Sequence, residues 1–303
     1  NKNNKIKLIV ITGPTATGKT ALAVKLANNI NGEIISADSR QIYRGMDLGT
    51  GKDLNEYCIE NKQVKHHLID IIEPNKDYSV YNFQIDFIDS YAQIKKNNKR
   101  CIVCGGTGLY IESLLLNYDL SNKPPPNYSL REKLSKKSIK DLEAYLKKIN
   151  NNDVEKFKLD TKNRIIRNIE ISLNKANSKN KKNNLLPIKD YMVIGINPGR
   201  DRVRHNITQR LKDRFENGLI EEVKYLLQNN VTHDRLNYFG LEYRFISQYL
   251  NKMYSKDELF QKLNSAIHQF SKKQMTFFRR MEKRNIKIHW IKENNMNEIN
   301  KIL

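Results

Sequence analysis

The run Gly13-Pro14-Thr15-Ala16-Thr17-Gly18-Lys19-Thr20 has the residue types and spacing of a loop that wraps phosphate. Its glycines let backbone N–H groups turn inward around phosphate oxygens, and the start of the following helix adds positive potential. Lys19 supplies a mobile cation, and the Thr20 hydroxyl is suited to holding a magnesium ion beside the phosphate. The pattern places the chain in the nucleotide- and diphosphate-binding class without specifying ATP. A second candidate is Asp38, in Ser36-Ala37-Asp38-Ser39-Arg40-Gln41. A carboxylate just past a strand borders the ligand crevice of a parallel sheet, where it can bind metal or act as a general base. The same position also serves as an ordinary turn former or helix cap. Gly105-Gly106-Thr107-Gly108 is a third candidate, with glycines that permit close approach and one hydroxyl, Thr107.

These groups need elements to present them. Ile6 to Thr12 reads as a buried strand, and Thr20 to Ile30 as the helix after the phosphate loop. Further strands are expected at Glu33 to Ser36, His66 to Ile71, Arg100 to Cys104 and Tyr191 to Ile196, with a helix from Tyr81 to Asn97. Strands alternating with helices predict an α/β fold with a doubly wound parallel sheet. Between Asp119 and Pro187 the texture changes. Pro124-Pro125-Pro126 opens a segment of short amphipathic helices, Leu130 to Leu134, Ile139 to Ile149 and Arg164 to Leu173. A Lys- and Asn-rich run, Asn174 to Asn184, closes it as a solvated loop. The expected organisation is a catalytic core of residues 1–118 and 188–303 with a helical insertion domain at 119–187. The longest helix is expected to start at Ser255, where Ser255 and Glu258 form a capping box. Leu259, Leu263, Ile267 and Phe270 then recur at helical spacing.

Charge narrows the partners. The 303 residues carry 54 Lys and Arg against 33 Asp and Glu, a formal charge of +21. A polyanion answers such a field, since each neutralised phosphate releases counterions; Lys- and Asn-rich coding drift is the plainer source of the excess. Lys162, Arg164, Arg167 and Lys175 lie in the insertion. Lys272, Lys273, Arg279, Arg280, Lys283 and Arg284 follow the long helix beside Phe277 and Phe278. Basic groups interleaved with aromatics suit looped or single-stranded RNA, and also describe a solvated helix face over a core. The three cysteines form no disulfide framework and fit a reducing, cytoplasmic setting. Cys101-x-x-Cys104 lies within a strand and has no second pair to complete a zinc site; His66-His67 also read as strand, with no metal role. No apolar run approaches the roughly 20 residues of a spanning helix, and no membrane partner is expected.

Taken together, these runs resemble the tRNA dimethylallyltransferase (tRNA isopentenyltransferase) family in its bacterial form. Asp38-Ser39-Arg40-Gln41-Ile42-Tyr43-Arg44-Gly45-Met46-Asp47-Leu48-Gly49-Thr50-Gly51-Lys52 is the specific match. The phosphate loop, Gly105 to Tyr110, Arg164 to Arg167, Gln209-Arg210 and Lys273 to Arg279 match in order around it. The resemblance implies transfer of a dimethylallyl group from its diphosphate to the adenosine beside a tRNA anticodon, with Mg²⁺ as cofactor. It casts Asp38 as general base, with Thr107 and Arg210 also at the reaction centre. Gly13, Thr15, Ala16, Thr17, Gly18, Lys19, Thr20 and Arg210 would bind diphosphate, with magnesium at Thr20. Asp38, Ser39, Arg40, Gln41, Thr107, Asn163, Arg164, Arg167, Tyr243, Arg244, Lys272, Lys273, Gln274, Thr276, Phe277 and Arg279 would contact the tRNA anticodon stem-loop. The expected working unit is a monomer.

The chain departs from the family pattern at Asn163, where Gln or Arg is usual, at Gly240-Leu241-Glu242-Tyr243-Arg244, and at Phe277, which replaces Trp. The rival readings are an adenylate dimethylallyltransferase, a phosphate-loop small-molecule kinase and a non-catalytic RNA-binding module. The basic insertion and basic carboxyl-terminal helices argue against a mononucleotide acceptor. No adenine site or lid is recognisable for a kinase. An intact phosphate loop together with Asp38 argues against a non-catalytic module.

Overall fold

Leu8-Ile9-Val10-Ile11 is apolar at every position because both faces of its strand are covered, the pattern expected of a parallel sheet. Leu8 and Val10 pack into one core cluster, Ile9 and Ile11 into another. In the computed structural model, residues 7–59, 61–120, 124, 126–150, 157, 159–174, 188–293 and 295–302 are described. The chain forms two compact units, Asn1–Asn117 with Leu185–Leu303, and Tyr118–Asn184.

In the larger unit, β1 (Leu8–Thr12) leads through the phosphate loop into α1 (Lys19–Asn29), followed by β2 (Gly32–Ser36). A two-stranded hairpin, β3 (Cys58–Ile59) and β4 (Lys62–Gln63), precedes β5 (His66–His67), α2 (Val80–Lys96), β6 (Arg100–Cys104) and α3 (Gly108–Leu115). The smaller unit holds α4 (Tyr128–Ser135), α5 (Ile139–Ile149) and α6 (Lys162–Leu173). The chain returns through β7 (Tyr191–Ile196), α7 (Arg200–Glu216), α8 (Leu219–Gln228), α9 (His233–Phe239), α10 (Leu241–Leu250), α11 (Lys256–Lys283), β8 (Ile288–Ile291) and α12 (Met296–Ile302). The main sheet runs β5-β2-β6-β1-β7-β8, and every pairing in it is parallel. All strands therefore end on the same edge, where β1, β2, β6 and β7 release the loops that build the site.

Three expectations change. The strand at His66 to Ile71 stops at His67, because Leu68 and Asp70 take positive φ, 62° and 54°. That turn carries the Asp70 carboxylate to Lys52. Strand β8 adds a sixth strand to the main sheet beyond the five expected. On α11, Phe270 is 39% exposed. The buried row runs through Leu259, Leu263, Ile267, Ser271, Gln274, Phe278 and Met281, so the helix turns Ser271, not Phe270, inward. Ser255 and Glu258 do form the capping box. Cys101 and Cys104 are buried on opposite faces, one in each core cluster. Burial raises both thiols, Cys104 to about 12. Lys175 and most of the Asn174 to Asn184 run lie outside the described residues.

The smaller unit packs Leu134, Leu142, Leu146, Ile165, Ile166 and Ile169 into its own core. Glu170 is fully buried within it. Its carboxylate accepts two bonds from Arg131, both 2.7 Å, one from Arg167 at 2.8 Å and one from the Asn127 N–H at 2.8 Å. Burial alone would raise that carboxyl, but Arg131, Arg167 and the Asn127 N–H hold it below its ordinary value. Arg167 also donates to the Pro124 carbonyl at 2.7 Å.

Two charges, the buried Lys52 and the half-buried Glu222, fix the loop between β2 and β3. Lys52 donates to the Tyr43 carbonyl at 2.7 Å, to Asp47 at 2.6 Å, and to Asp70. Glu222 of α8 accepts the N–H groups of Asp47, Leu48 and Gly49 at 2.9, 2.6 and 3.1 Å, and the Tyr243 hydroxyl at 2.8 Å. Three consecutive amides on one carboxylate hold the loop as a nest holds an anion. Replacing Lys52 by Met removes the donor to the Tyr43 carbonyl and to two partly exposed carboxylates, and should lower unfolding free energy by about 2 kcal/mol. Urea unfolding measures this; a loss under about 1 kcal/mol would mean that Lys52 does not organise the loop.

Candidate active site

The first cavity, about 330 Å³, lies at the carboxyl ends of the strands and is lined by Thr15 to Thr20, Asp38, Gln41, Gly105 and Arg210, among others. Segments far apart in sequence meet there: the loops that follow β1, β2 and β6, and helix α7, which carries Arg210.

The phosphate loop is built as its residue types demand. Gly13, Ala16 and Gly18 have φ of 147°, 62° and 76°. Thr17 turns its hydroxyl back to the Pro14 carbonyl at 2.9 Å, so it contributes to loop shape through its side chain. Lys19 donates to the same carbonyl at 2.7 Å. Desolvation lowers the Lys19 ammonium to about 8; Cys104 opposes the fall and Arg210 adds to it. Arg210, reaching in from α7, donates to the Thr15 hydroxyl. Burial and the neighbouring Arg214 bring its guanidinium down to about 10, so it remains charged at neutral pH. Two cations therefore face the phosphate loop, an arrangement that binds a polyanion such as diphosphate.

Asp38 stands two residues past β2 and lines the same cavity. One carboxylate oxygen accepts the Arg40 N–H at 2.9 Å, which fixes its orientation. Thr107 does not line the cavity; its hydroxyl accepts the Ser39 N–H at 3.0 Å and so ties the β6 loop to the residue after Asp38. Gly105 is required for this meeting: a Cβ there would lie 2.3 Å from the Ala37 carbonyl oxygen. Gln41 accepts from Ser36 at 3.0 Å and donates to the Gly51 carbonyl at 3.0 Å, linking Asp38's segment to the loop clamped by Lys52 and Glu222.

Several residues expected to touch RNA have other partners. Tyr243 is 2% exposed, its ring in a core cluster and its hydroxyl on Glu222, so it is removed from the RNA-facing set. Gln274 is 8% exposed, accepting the Thr15 N–H at 2.9 Å and donating to the Gly106 carbonyl at 3.0 Å; it is a positioning residue. Arg167 is engaged by Glu170 and Pro124. Arg280 and Arg284 pair with the buried Glu112, and Phe278 is core. Phe277 is half-buried under the Arg280 guanidinium, 4.0 Å from its ring centre. Asn163, Arg164, Lys272, Lys273, Thr276 and Arg279 are exposed; Arg40 and Arg244 are half-buried.

Sequence reasoning missed Asn206, whose amide braces the Ala16 carbonyl at 3.1 Å, and the cavity-lining Asp53, Glu56 and Asp213. Asn206 lies one helical turn before Arg210, the only local signal it offered. Among the described residues no cluster of three or more His, Cys, Asp or Glu could cage a metal. A single hydroxyl, Thr20, on the cavity wall instead fits a cation that takes most of its shell from phosphate and water, as magnesium does. No helix among the described residues is long and apolar enough to cross a membrane.

Fold and site together define a phosphate-loop α/β protein with a carboxylate poised beside its anion cradle. Family comparison narrows this. Residues 41–281 match the IPP transferase model and residues 6–68 the isopentenyl transferase model. The chain is 48% identical to the tRNA dimethylallyltransferase 1 of Azobacteroides pseudotrichonymphae genomovar. CFP2, covering 98% of this chain and 96% of that one. It is 46% identical to the tRNA dimethylallyltransferase 2 of Bacteroides fragilis (strain ATCC 25285), covering 94% and 92%. The full-length tRNA isopentenylpyrophosphate transferase of Bacillus halodurans superposes with a TM-score of 0.67 at 30% identity, over 95% and 90% of the chains. The chain belongs to the IPP transferase family.

Gln274→Leu keeps the side-chain bulk but leaves the Thr15 amide and Gly106 carbonyl unpaired. It should cost about 1–3 kcal/mol of stability and weaken binding of inorganic diphosphate. Calorimetric titration and thermal unfolding read the two effects; unchanged diphosphate affinity would show that the bridge does not shape the cradle.

Proposed function

We propose that this enzyme transfers the dimethylallyl group of dimethylallyl diphosphate to the exocyclic amine of the adenosine 3′-adjacent to a tRNA anticodon, releasing diphosphate. The observation that carries the reading is that Asp38, Lys19 and Arg210 line one cavity with the phosphate loop. The substrate names borne by the relatives point the same way.

The chemistry needs both halves of that cavity. An adenine amine is a poor nucleophile, and the adenosine must leave the base stack for its amine to reach the allylic carbon. As the C–N bond forms, the amine loses a proton, and Asp38 is the group placed to accept it. As the C–O bond to diphosphate breaks, negative charge grows on the leaving group. Lys19, Arg210 and the N–H groups of residues 16 to 20 are the donors that stabilise it. A magnesium ion, when bound, would be held by Thr20 together with diphosphate oxygens and would neutralise part of that charge. Thr107 holds the Ser39 amide and thereby Asp38's segment. The exposed or half-buried Arg40, Asn163, Arg164, Arg244, Lys272, Lys273, Thr276, Phe277 and Arg279 are the groups left available to an anticodon stem-loop. A mononucleotide acceptor or a kinase reaction gives these groups no task.

Asp38→Asn preserves shape and one acceptor while removing basicity. Single-turnover transfer at saturating substrates should slow by roughly 10²–10⁴, the usual range for a positioned base. Binding of tRNA and of diphosphate, measured separately, should change little. Near-normal transfer would take Asp38 out of the chemistry, and an equally large loss of tRNA affinity would make it a binding residue.

A further inference from the structure

A second cavity, about 470 Å³, shares no lining residue with the first. It lies past the carboxyl end of β7, bounded by Pro14, Asn197 and Gly199, by the start of α7 and by the middle of α11. Val203 and Ile207 are buried and, with the half-buried Met275, form an apolar floor. Arg200, Arg204, Lys272 and Arg279 are exposed and stand around it.

The charge of this cavity is unbalanced. No Asp or Glu lines it, and among the described residues none of the four cations is paired with a carboxylate. Arg202, outside the lining, shows the contrast: it pairs with Glu293 at 2.8 Å. Helix α7 begins at Gly199 with no side-chain cap, so its first N–H groups add positive potential to the same space. Asp201, acidic and in that first turn, is exposed and does not line the cavity. Four like charges brought together by two helices repel one another unless an anion joins them.

The floor says which anion. A free phosphate would sit among the cations and leave the apolar floor, of which the half-buried Met275 is the most exposed member, uncovered. A sugar–phosphate unit covers both, its phosphate on the guanidinium and ammonium groups and its sugar on the apolar surface. We propose that this cavity binds a phosphodiester of the acceptor RNA and so sets the register of the RNA backbone at a point apart from the reacting adenosine. Arg200 and Arg204 thereby become RNA-positioning residues, and Lys272 and Arg279 reach the RNA from the face of α11 that carries Met275. The proposal rests on RNA being the acceptor, as argued above.

The test uses the full chain with both arginines changed, Arg200→Gln with Arg204→Gln, beside the charge-preserving pair Arg200→Lys with Arg204→Lys. Both side chains are exposed, so folding should survive, and matching Tm values would verify it. Binding of an unmodified anticodon stem-loop is followed by fluorescence anisotropy between low and moderate salt, without prenyl donor. The Gln pair should weaken binding by roughly tenfold or more at low salt, and flatten the log–log salt slope by about 0.7 for each phosphate that is no longer neutralised. The Lys pair should stay close to the unaltered protein, and inorganic diphosphate should bind both equally well. An unchanged affinity and slope in the Gln pair would overturn the proposal. So would a parallel loss of diphosphate binding, which would make the cavity an annex of the phosphate loop. Transfer by the unaltered enzyme to AMP instead of RNA would overturn the functional reading, and it registers in a separate assay.

Discussion

The amide of Gln274 is the joint on which the crevice depends. Its oxygen takes the Thr15 N–H of the phosphate loop, and its nitrogen gives to the Gly106 carbonyl after β6. One planar group, 8% exposed, thus sets the spacing of two loops that belong to different strands. No carboxylate or ammonium could take its place, since the site needs one acceptor and one donor on a single rigid unit. From Gly106 the chain passes to Thr107, whose hydroxyl holds Ser39 beside Asp38. The anion cradle and the carboxylate are registered to each other through that short series of hydrogen bonds.

A second set of interactions keeps Asp38's own segment in place from behind. Gln41 reaches the Gly51 carbonyl, and the loop carrying Gly51 is gripped by Lys52 from within and by Glu222 from α8. Helices α7 to α11 share one hydrophobic cluster with Ile42, Tyr43 and Met46. Apolar burial there therefore bears directly on the reacting groups. The signature run is long because much of it is structural: Tyr43, Met46, Gly49 and Lys52 are buried, and a Cβ at Gly49 would lie 2.5 Å from the Tyr243 ring. Within the run, Asp38, Gln41, Thr50 and Gly51 border the cavity.

Much of this is legible in the sequence, and the exceptions have physical causes. Doubly covered strands announce themselves as unbroken apolar runs, which is why β1, β6 and β7 stand out. The cap at Ser255 and the phosphate loop are local patterns, readable without tertiary knowledge. Strand β8 is four residues long at a sheet edge, and its partner β7 lies far back in the chain, so no local periodicity marks it. The strand at His66 reads too long because Leu68-Ile69 looks like strand, whereas the demand for Asp70 at Lys52 turns the backbone. Tyr243 and Gln274 read as RNA-facing because they sit in stretches that resemble RNA-contacting ones. Helical periodicity puts some members of such a stretch inside, as the burial of Gln274 between exposed Lys273 and half-buried Met275 illustrates. Glu222 gives no signal at all, since the backbone amides it accepts lie more than 170 residues away.

In the proposed reaction, one cavity joins a prenyl diphosphate to an adenosine presented by RNA. The most direct measurement is a competition for labelled dimethylallyl diphosphate among AMP, ATP and unmodified tRNA in a single reaction. The label should pass to tRNA at the adenosine following the anticodon, and ATP should be neither prenylated nor hydrolysed at a rate stimulated by tRNA. Label recovered mainly on AMP, or robust tRNA-stimulated ATP hydrolysis without prenyl transfer, would contradict it.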